Sequence, residues 1–193
     1  MESIVLATGN KGKIREFERA FYHMNITCVP VKEVATVPEP EETGTTFMEN
    51  AILKAKYYSE KIGLPCLADD SGLTVDALEG EPGVYSARYA GSHGDDEANN
   101  QKLIRELQGK ANRTAHYVCA LALVYPDGSS LTSEASCDGE IQDTPIGTNG
   151  FGYDPYFYVP QFGKTMAELD IDTKESISHR GKALQQLVAK VNG

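Results

Sequence analysis

The chain has 193 residues and a formal net charge of −10, which argues against nucleic-acid binding because that function needs a net basic face. Hydrophobic residues at 40% and charged residues at 24% are ordinary for a globular protein large enough to bury its own core. The apolar run 118–125 is too short to span a membrane, and the N-terminus lacks the basic region of a signal peptide. We therefore predict a cytoplasmic protein with no membrane partner.

Strand and helix patterns alternate along the first part of the chain. Strands are predicted at 3–7, 26–31, 65–69, 114–125 and 130–136, with one more short strand after residue 152. Helices are predicted at 11–24, 46–62, 95–107 and 177–191. Both alternating sets in 114–125 are apolar, as in a strand covered on both faces, and the turn at 126–128 predicts a hairpin with 130–136. The predicted fold class is α/β with a mixed sheet.

Two local features refine this prediction. Thr46 and Glu49 have the spacing of a capping box at the start of the second helix. No pair of cysteines has C-x-x-C spacing, and each lies in or near an apolar segment, which favours buried free thiols over disulfides or a zinc site. The cysteines are Cys28, Cys66, Cys119 and Cys137.

The sequence Thr8-Gly9-Asn10-Lys11-Gly12-Lys13 lies between the first predicted strand and the first predicted helix. Backbone N–H groups and the helix dipole at such a turn favour a phosphate group, and Lys13 adds a positive charge. On so acidic a protein, a phosphorylated ligand needs such local cations and usually a divalent metal ion. The stretch is not a Walker A loop, because the pattern G-x-x-x-x-G-K-[ST] is absent. An ordinary turn with solvated lysines is the alternative.

Two acidic clusters stand out. Glu41-Glu42 lies in a loop before the second helix, and Asp69-Asp70 lies at the end of the predicted strand 65–69, where open α/β sheets usually build their sites. Adjacent aspartates can hold Mg²⁺, and a bound water can then be activated as a nucleophile. The alternative is an Asp-rich turn beside a solvated acidic loop.

The glycine-rich loop 147–155 carries two aromatic residues, Phe151 and Tyr153, which can present their faces to a planar base. The alternative is a turn whose aromatic residues cap the core. Lys174, His179 and Arg180 cluster near the start of the last helix, where they favour an anion or an electron-rich carbonyl. Cations at that end oppose the helix dipole, so a bound ligand explains them better than a solvated helix start. The remaining histidines (His23, His93 and His116) show no such constellation and are interpreted as surface or structural residues.

Six short motifs follow one another from the first strand to the last helix. They are T-G-N-x-x-K at 8–13, E-E-T-G-x-T-F-x-E-N-A at 41–51, A-D-D-S-G-L at 68–73, P-G-V-Y-S-A-R-Y at 82–89, F-G-Y-D-P at 151–155 and S-H-R-G at 178–181. Together they closely resemble the inosine triphosphate pyrophosphatase family, the non-canonical purine nucleoside triphosphate pyrophosphatases. Each motif is weak alone, but six in the family's order are specific and cover essentially the whole chain.

The resemblance implies a single catalytic domain over 1–193, with a long central mixed sheet flanked by helices and two lobes around a substrate cleft. It also implies a homodimer and Mg²⁺-dependent hydrolysis of ITP, dITP and XTP to the nucleoside monophosphate and pyrophosphate. These purine nucleoside triphosphates are the expected small-molecule partners.

Carried onto this chain, the resemblance implies that Glu41 and Asp70 bind the metal ion. Asp70 would also accept a proton from the attacking water, with Asp69 supporting it, and whether Glu42 shares the metal stays open. The residues implied to bind substrate are Thr8, Gly9, Asn10 and Lys13 at the triphosphate, Ser71, then Phe151, Gly152, Tyr153 and Asp154 at the base, and Lys174, His179 and Arg180 at the base and its surroundings.

The choice of base has a hydrogen-bond rationale. Arg180 carries only donors, so it can meet the 6-oxo group or N7 of hypoxanthine but not the 6-amino group of adenine. Bound ATP would leave such donors unpaired. Guanine shares the 6-oxo group, so its exclusion must depend on its 2-amino group.

Two other functions are compatible with parts of the sequence. An enzyme of the same architecture could act on other nucleotides, such as dTTP or UTP. A regulatory protein could bind nucleotides without cleaving them, but it would be expected to have lost an acidic metal ligand. Glu41, Asp69 and Asp70 are all present, and intact site chemistry favours an enzyme.

Overall fold

The computed structural model describes residues 2–193, with the side chain of residue 175 left out. Its strands are β1 (Glu2–Leu6), β2 (Ile26–Pro30), β3 (Cys66–Val75), β4 (Thr114–Val124), β5 (Ser130–Ile141), β6 (Phe157–Val159) and β7 (Lys164–Thr165). Its α-helices are α1 (Lys11–Phe21), α2 (Val31–Val34), α3 (Phe47–Ile62), α4 (Asp96–Glu106), α5 (Ile171–Ile177) and α6 (His179–Asn192).

The strands form one seven-stranded sheet with the order β2-β1-β3-β4-β5-β6-β7. β1 pairs in parallel with both β2 and β3, whereas β6 pairs antiparallel with β5 and β7. The sheet is therefore mixed, which confirms the predicted α/β fold class. No helix of the described residues is long and apolar enough to cross a membrane.

The described residues divide into two compact units. The first contains the chain up to Asp70 together with Cys119–Ala135 and Arg180–Gly193. The second contains Ser71–Val118 and Ser136–His179.

The core of the first unit forms where α1 and α6 supply apolar side chains to the strands. On α1 the buried residues are Phe17 and Phe21, spaced by four and therefore on one face of the helix. They join Leu6, Leu67 and Leu187, each of which is fully buried or nearly so. Burying a side chain of this size stabilises the fold by about 1.5–3 kcal/mol.

Side-chain caps set the starts of α1 and α3. Asn10 Oδ1 accepts from Lys13 N at 3.1 Å, and Thr46 Oγ1 accepts from Glu49 N at 3.1 Å. The Glu49 carboxylate accepts from Thr45 N at 2.7 Å. The capping box predicted at Thr46 and Glu49 is therefore formed on the Thr46 side, while the carboxylate reaches one residue further back.

The second unit has its own core, in which α4 contributes Leu103 and strand residues contribute most of the rest. Tyr117 on β4 stacks on Phe157 of β6, with ring centroids 4.4 Å apart. Other fully buried members of this cluster include Leu73, Val75, Leu107 and Ala115.

The predicted elements are confirmed with differences in their bounds, among them α1, which ends at Phe21, and the elements α2, α5 and β7 were not predicted. The strand predicted at 65–69 continues to Val75, so Asp69 and Asp70 lie inside β3 and the predicted strand end is wrong. The strand predicted at 130–136 runs on to Ile141, and the last helix begins at His179 after a separate helix, α5. All four cysteines are buried free thiols, as predicted.

Candidate functional site

The glycine loop between β1 and α1 is held by its own side chains. Asn10 N donates to Thr8 Oγ1 at 3.1 Å, and Asn10 Oδ1 caps α1. These bonds use the two oxygens as acceptors, so the Thr8 hydroxyl and the Asn10 amide nitrogen keep the donors that a phosphate requires. A Cβ atom on Gly9 would lie 3.5 Å from Lys32 Nζ, which places a further lysine beside the loop.

Asp69 is a buried residue that contacts lysines from two helices of the first unit. Its side chain is 3% exposed, and its Oδ2 lies 2.9 Å from Lys13 Nζ. Lys54 Nζ donates to the main-chain carbonyl of Asp69 at 2.5 Å. Burial would raise the pKa of Asp69, but the positive charges of Lys13, Lys54 and Arg180 outweigh burial and hold that pKa well below its usual range.

The register of the sheet explains why Lys13 and Asp69 meet although Asp69 is not at a strand end. Leu67 of β3 is the partner of Leu6, where β1 ends. Asp69 therefore lies beyond the carboxyl end of β1, beside the loop that leads to Lys13. Asp69 was predicted as a site residue because the sequence pattern placed it at the carboxyl end of its own strand. In the structure, the strand whose carboxyl end lies beside Asp69 is β1, not β3.

Asp70 has a different environment from its neighbour. Its Oδ2 is buried and has no hydrogen-bond partner within residues 2–193. Burial raises the pKa of Asp70 to about 6; Lys54 opposes this shift, and Glu42 adds to it. Two adjacent aspartates thus have opposite pKa shifts, a pattern that is common where acid–base chemistry occurs.

The buried Asp70 oxygen suits an oxygen-binding cation such as Mg²⁺. Across the described part of the chain, no group of three or more histidine, cysteine or acidic side chains is arranged to hold a metal ion. Mg²⁺ often binds proteins through only one or two carboxylates and keeps its remaining places for water and substrate phosphates. The unpaired carboxylate oxygen therefore fits such an ion.

Glu41 and Glu42 differ in their surroundings. Glu41 is exposed, whereas Glu42 Oε1 lies 2.9 Å from Lys54 Nζ. The negative charge of Glu42 also helps to raise the pKa of Asp70. The structure thus links Glu42 to the aspartate pair through Lys54, and it places Glu41 one residue away at the surface.

Arg180 lies at the start of α6, and its side chain is only 15% exposed. Its Nη1 donates to Glu16 Oε2 at 3.0 Å, and its positive charge helps to lower the pKa of Asp69. The first unit therefore brings together seven of the predicted site residues: Thr8, Gly9, Asn10, Lys13, Asp69, Asp70 and Arg180.

In the second unit, Asp154 organises the loop 150–154. Tyr117 Oη donates to Asp154 Oδ1 at 2.8 Å, and Asp154 Oδ2 accepts from Lys174 Nζ at 2.8 Å and from Phe151 N at 3.2 Å. A Cβ atom on Gly150 would lie 2.1 Å from Asp154 Oδ2, and its φ is +79°, so both space and backbone conformation require glycine there.

The two aromatic residues of this loop occupy different environments. Phe151 is 64% exposed, and Lys174 Nζ lies 5.4 Å from its ring centroid. Tyr153 is 6% exposed and donates from its hydroxyl to Ser86 O at 2.6 Å, so it packs in the core. His179 stacks on Tyr117 at 5.1 Å. Only Phe151 of the pair offers a ring face to solvent.

The remaining predicted site residues lie next to these. Ser71 follows Asp70 and is half-buried. Gly152 is held by α4, because its N–H donates to Asp96 Oδ2 and its carbonyl accepts from Asn100 Nδ2.

Several polar and charged residues of the first unit were missed by the sequence analysis. Among them, Lys54 contacts both Asp69 and Glu42. Its position on α3 could have indicated this role from the sequence. Phe47, Asn50, Ala51 and Ala55 belong to the buried face of α3, and Lys54, four residues after Asn50, lies beside that face. A lysine in such a position needs a buried partner. The other missed residues are Asn50, Glu16 and Lys32, whereas Glu42 belonged to the acidic cluster found in the sequence, with its share in the metal site left open.

An α/β fold that places a helix start and two lysines beside paired aspartates defines a protein equipped to bind phosphate. The model of the Ham1 family matches residues 4–190, so the chain belongs to the Ham1 family. This confirms the resemblance inferred from the six motifs.

Relatives of known name agree with this assignment. The chain is 50% identical over 188 residues to the dITP/XTP pyrophosphatase of Exiguobacterium sp., covering 97% of this chain and 96% of that protein. It is 50% identical over 189 residues to the dITP/XTP pyrophosphatase of Geobacillus kaustophilus, covering 97% and 93%. The structure of a HAM1 protein from Coxiella burnetii superposes with a TM-score of 0.95 at 44% identity, covering 100% of this chain and 99% of that one.

Proposed function

We propose that this protein hydrolyses the non-canonical purine nucleoside triphosphates ITP, dITP and XTP to the nucleoside monophosphate and pyrophosphate. The observation that carries the proposal is the Asp69–Asp70 pair, in which one carboxylate is tied to Lys13 and the other keeps a buried oxygen without a partner among the described residues. Membership of the Ham1 family and the names of the relatives support the same reaction.

In the proposed reaction, the oxygen of a water molecule bonds to phosphorus while the anhydride bond between the α- and β-phosphates breaks. Pyrophosphate leaves with the bridging oxygen, and the proton of the water passes to Asp70. In the metal-free protein the pKa of Asp70 is raised to about 6, and a general base works best when its pKa lies near the working pH. Asp69 stays ionised and holds Lys13 in place.

Positive charges around this carboxylate pair balance the charge that gathers on the phosphate oxygens. We assign the triphosphate to Thr8, Gly9, Asn10 and Lys13, and we add Lys54 because it contacts both Asp69 and Glu42. Mg²⁺, held by Asp70 and Glu41 or Glu42, would supply further charge and orient the phosphates when bound. The Ser71 side chain is proposed to contact the substrate.

The base is assigned to residues of the loop 150–154 and to the late cationic residues. The exposed ring of Phe151 supports a stacking role, and Lys174 close to that ring supports a polar contact at its edge. The buried position of Tyr153 supports a role in shaping the loop together with Asp154. His179 and Arg180 are proposed to select the base by donating hydrogen bonds to a 6-oxo purine.

We also propose that the enzyme is a cytoplasmic homodimer and that residues 1–193 act as one catalytic domain with a substrate cleft. The segment 83–88 supports an oligomer contact, because Tyr85 is 56% exposed and Arg88 lies 5.2 Å from its ring. Sedimentation velocity at micromolar concentration tests the dimer.

The reaction is tested by measuring pyrophosphate release from ITP, XTP, GTP, ATP and dTTP, with Mg²⁺ and with a chelator. We expect metal-dependent release from ITP and XTP at rates about a hundredfold above those for ATP and GTP, which is within reach of a site that pairs polar groups of the base. Equal rates for all purines would contradict the proposed base selection. A preference for dTTP would favour a pyrimidine enzyme, and no release from any of them would favour a nucleotide sensor.

A further inference from the structure

The main chain of Gly152 is held on both sides by one helix. Its N–H donates to Asp96 Oδ2 at 3.0 Å, and its carbonyl accepts from Asn100 Nδ2 at 2.9 Å. Asp96 and Asn100 are four residues apart on α4 and therefore lie on the same side of that helix. The two bonds fix the position of Gly152 relative to α4.

Asn100 is an unusual residue for its position. It is 7% exposed, and its Oδ1 is buried without a hydrogen-bond partner in the described part of the chain. An unpaired buried acceptor is costly, and an apolar side chain of similar size would avoid that cost. Asparagine provides one contact that an apolar residue cannot make, the hydrogen bond from its Nδ2 to the Gly152 carbonyl.

The residue before Gly152 is held from another direction. Phe151 N donates to Asp154 Oδ2, and Asp154 is in turn fixed by Tyr117 and Lys174. Hydrogen bonds therefore fix the backbone on both sides of the Phe151 Cα atom, yet the Phe151 ring is 64% exposed. A rigid backbone that presents an exposed ring is what a stacking surface needs, because a binding site works only when its supporting residues hold it in place.

We propose that Asn100 and Asp96 are positioning residues for the substrate base, which hold Gly152 so that the Phe151 ring faces the base. This inference rests on the proposed function and deepens it, because both residues lie outside the six motifs that carry the family resemblance. It assigns to α4 a role in binding the base and none in binding phosphate.

The test compares four variants of the full chain. Asn100→Leu removes the donor to the Gly152 carbonyl, and Asp96→Ala removes the acceptor for Gly152 N. Asp96→Asn keeps an acceptor oxygen at the same place and should restore function. Glu97→Ala on the exposed side of α4 is the matched control.

For each variant, we would measure the KM and kcat for ITP and the inhibition constants of IMP and inorganic pyrophosphate. In Asn100→Leu, the KM for ITP and the inhibition constant of IMP should rise about tenfold, as expected for a lost hydrogen bond that orders a loop. In Asp96→Ala, they should rise about threefold because that bond is solvent-exposed. The inhibition constant of pyrophosphate should stay unchanged in both, and Asp96→Asn and Glu97→Ala should resemble the wild type.

Failure of this inference can be told apart from failure of the proposed function. If the wild type releases no pyrophosphate from ITP, the proposed function is wrong. If the wild type is active, the positioning role is overturned when the KM for ITP does not change, or when it rises by the same factor as the inhibition constant of pyrophosphate. Should Asn100→Leu fail to fold, the comparison of Asp96→Ala with Asp96→Asn decides the question.

Discussion

The ammonium group of Lys13 lies 2.9 Å from Oδ2 of Asp69, a side chain that is 3% exposed. Lys54 contacts the main-chain carbonyl of the same Asp69, so lysines from α1 and α3 converge on one residue of β3. Removing the Asp69 carboxylate would leave the Lys13 ammonium group without its partner, whereas Lys54 would keep the main-chain carbonyl of residue 69 and Glu42. The pair of Lys13 and Asp69 is therefore expected to stabilise the fold in addition to its proposed role in the site.

Replacing Asp69 with asparagine should lower the free energy of unfolding by about 3 kcal/mol at pH 7. Breaking a buried ion pair on one side costs this much because the remaining charge loses its partner. Urea unfolding measures the change. Asp143→Asn is the control, since Asp143 is mostly exposed in its pair with Arg113 and should cost less than about 1 kcal/mol. Equal losses in the two variants would contradict a special role for Asp69.

The cost of Asp69→Asn should also depend on pH. Folding lowers the pKa of Asp69, so its contribution to stability is present above the unfolded-state value of about 4 and is lost as the pH falls through the folded-state value. The difference between wild type and variant should therefore be constant from pH 6 to 8 and shrink below pH 4. A difference that grows on acidification would contradict the assignment.

Asp70→Asn should remove activity and at the same time stabilise the metal-free protein. Burial raises the pKa of Asp70 to about 6, so above that pH the folded protein holds a carboxylate in unfavourable surroundings. In chelator at pH 7.5, we expect a gain of about 1–2 kcal/mol in the free energy of unfolding. Turnover of ITP should fall by about a thousandfold.

The sign of the Asp70 effect can be checked with pH. A carboxyl group whose pKa is raised by folding destabilises the protein only where it is ionised, so the gain in Asp70→Asn should vanish at pH 4. Thermal unfolding at both pH values gives the comparison. A variant that is less stable at pH 7.5 would show that the charge of Asp70 is well compensated in the folded state.

Lys54→Met should weaken both the fold and the proposed phosphate site. Burial would lower the pKa of Lys54, but the nearby charges of Asp69 and Glu42 outweigh burial and raise it, so the lysine is charged at neutral pH. We expect a loss of about 2 kcal/mol in stability and a KM for ITP at least about tenfold higher. Lys56→Met, on the exposed side of α3, should match the wild type in both.

Lys13 and Lys54 show which parts of the site can be predicted from the sequence and which cannot. The loop before α1 has glycines and a lysine at a strand–helix junction, and these local features suffice to predict Lys13 as a site residue. Lys54 lies within a long regular helix, where a lysine is normally solvated. Its role depends on how α3 packs against β3, and that tertiary arrangement has no short-range pattern in the sequence beyond its place beside the buried face.

The end of β3 was mispredicted for a related reason. Asp69 to Gly72 has the composition of a turn, since aspartate, serine and glycine are poor strand formers. The segment nevertheless remains extended to Val75, because Leu73 and Val75 are fully buried in the core of the second unit. Burial of these later residues overrides the local preference of the four before them.

His116 shows a pair of contacts that the sequence could not reveal, because its partners are 22 and 40 residues away along the chain. Its Nδ1 lies 2.7 Å from Asp138 Oδ1, and its Nε2 lies 3.1 Å from Asp76 Oδ1. The hydrogen bond to Asp138 is the main cause that raises the pKa of His116; burial opposes the shift and Asp76 adds to it. The charged imidazole should therefore link β4, β5 and the turn after β3.

The stability that His116 contributes should be lost as the pH rises. A histidine whose pKa is raised by folding stabilises the protein fully below its unfolded-state pKa of about 6.5, and the contribution disappears as the pH passes the folded-state value. A double-mutant cycle with His116→Gln and Asp138→Asn should give a coupling of about 0.5–1 kcal/mol at pH 5.5 and close to zero at pH 9. Because Gln keeps a polar side chain at this site, the cycle isolates the charge. A coupling of equal size at both pH values would mean that the neutral imidazole makes the same interaction, and the charged link between the strands would then be wrong.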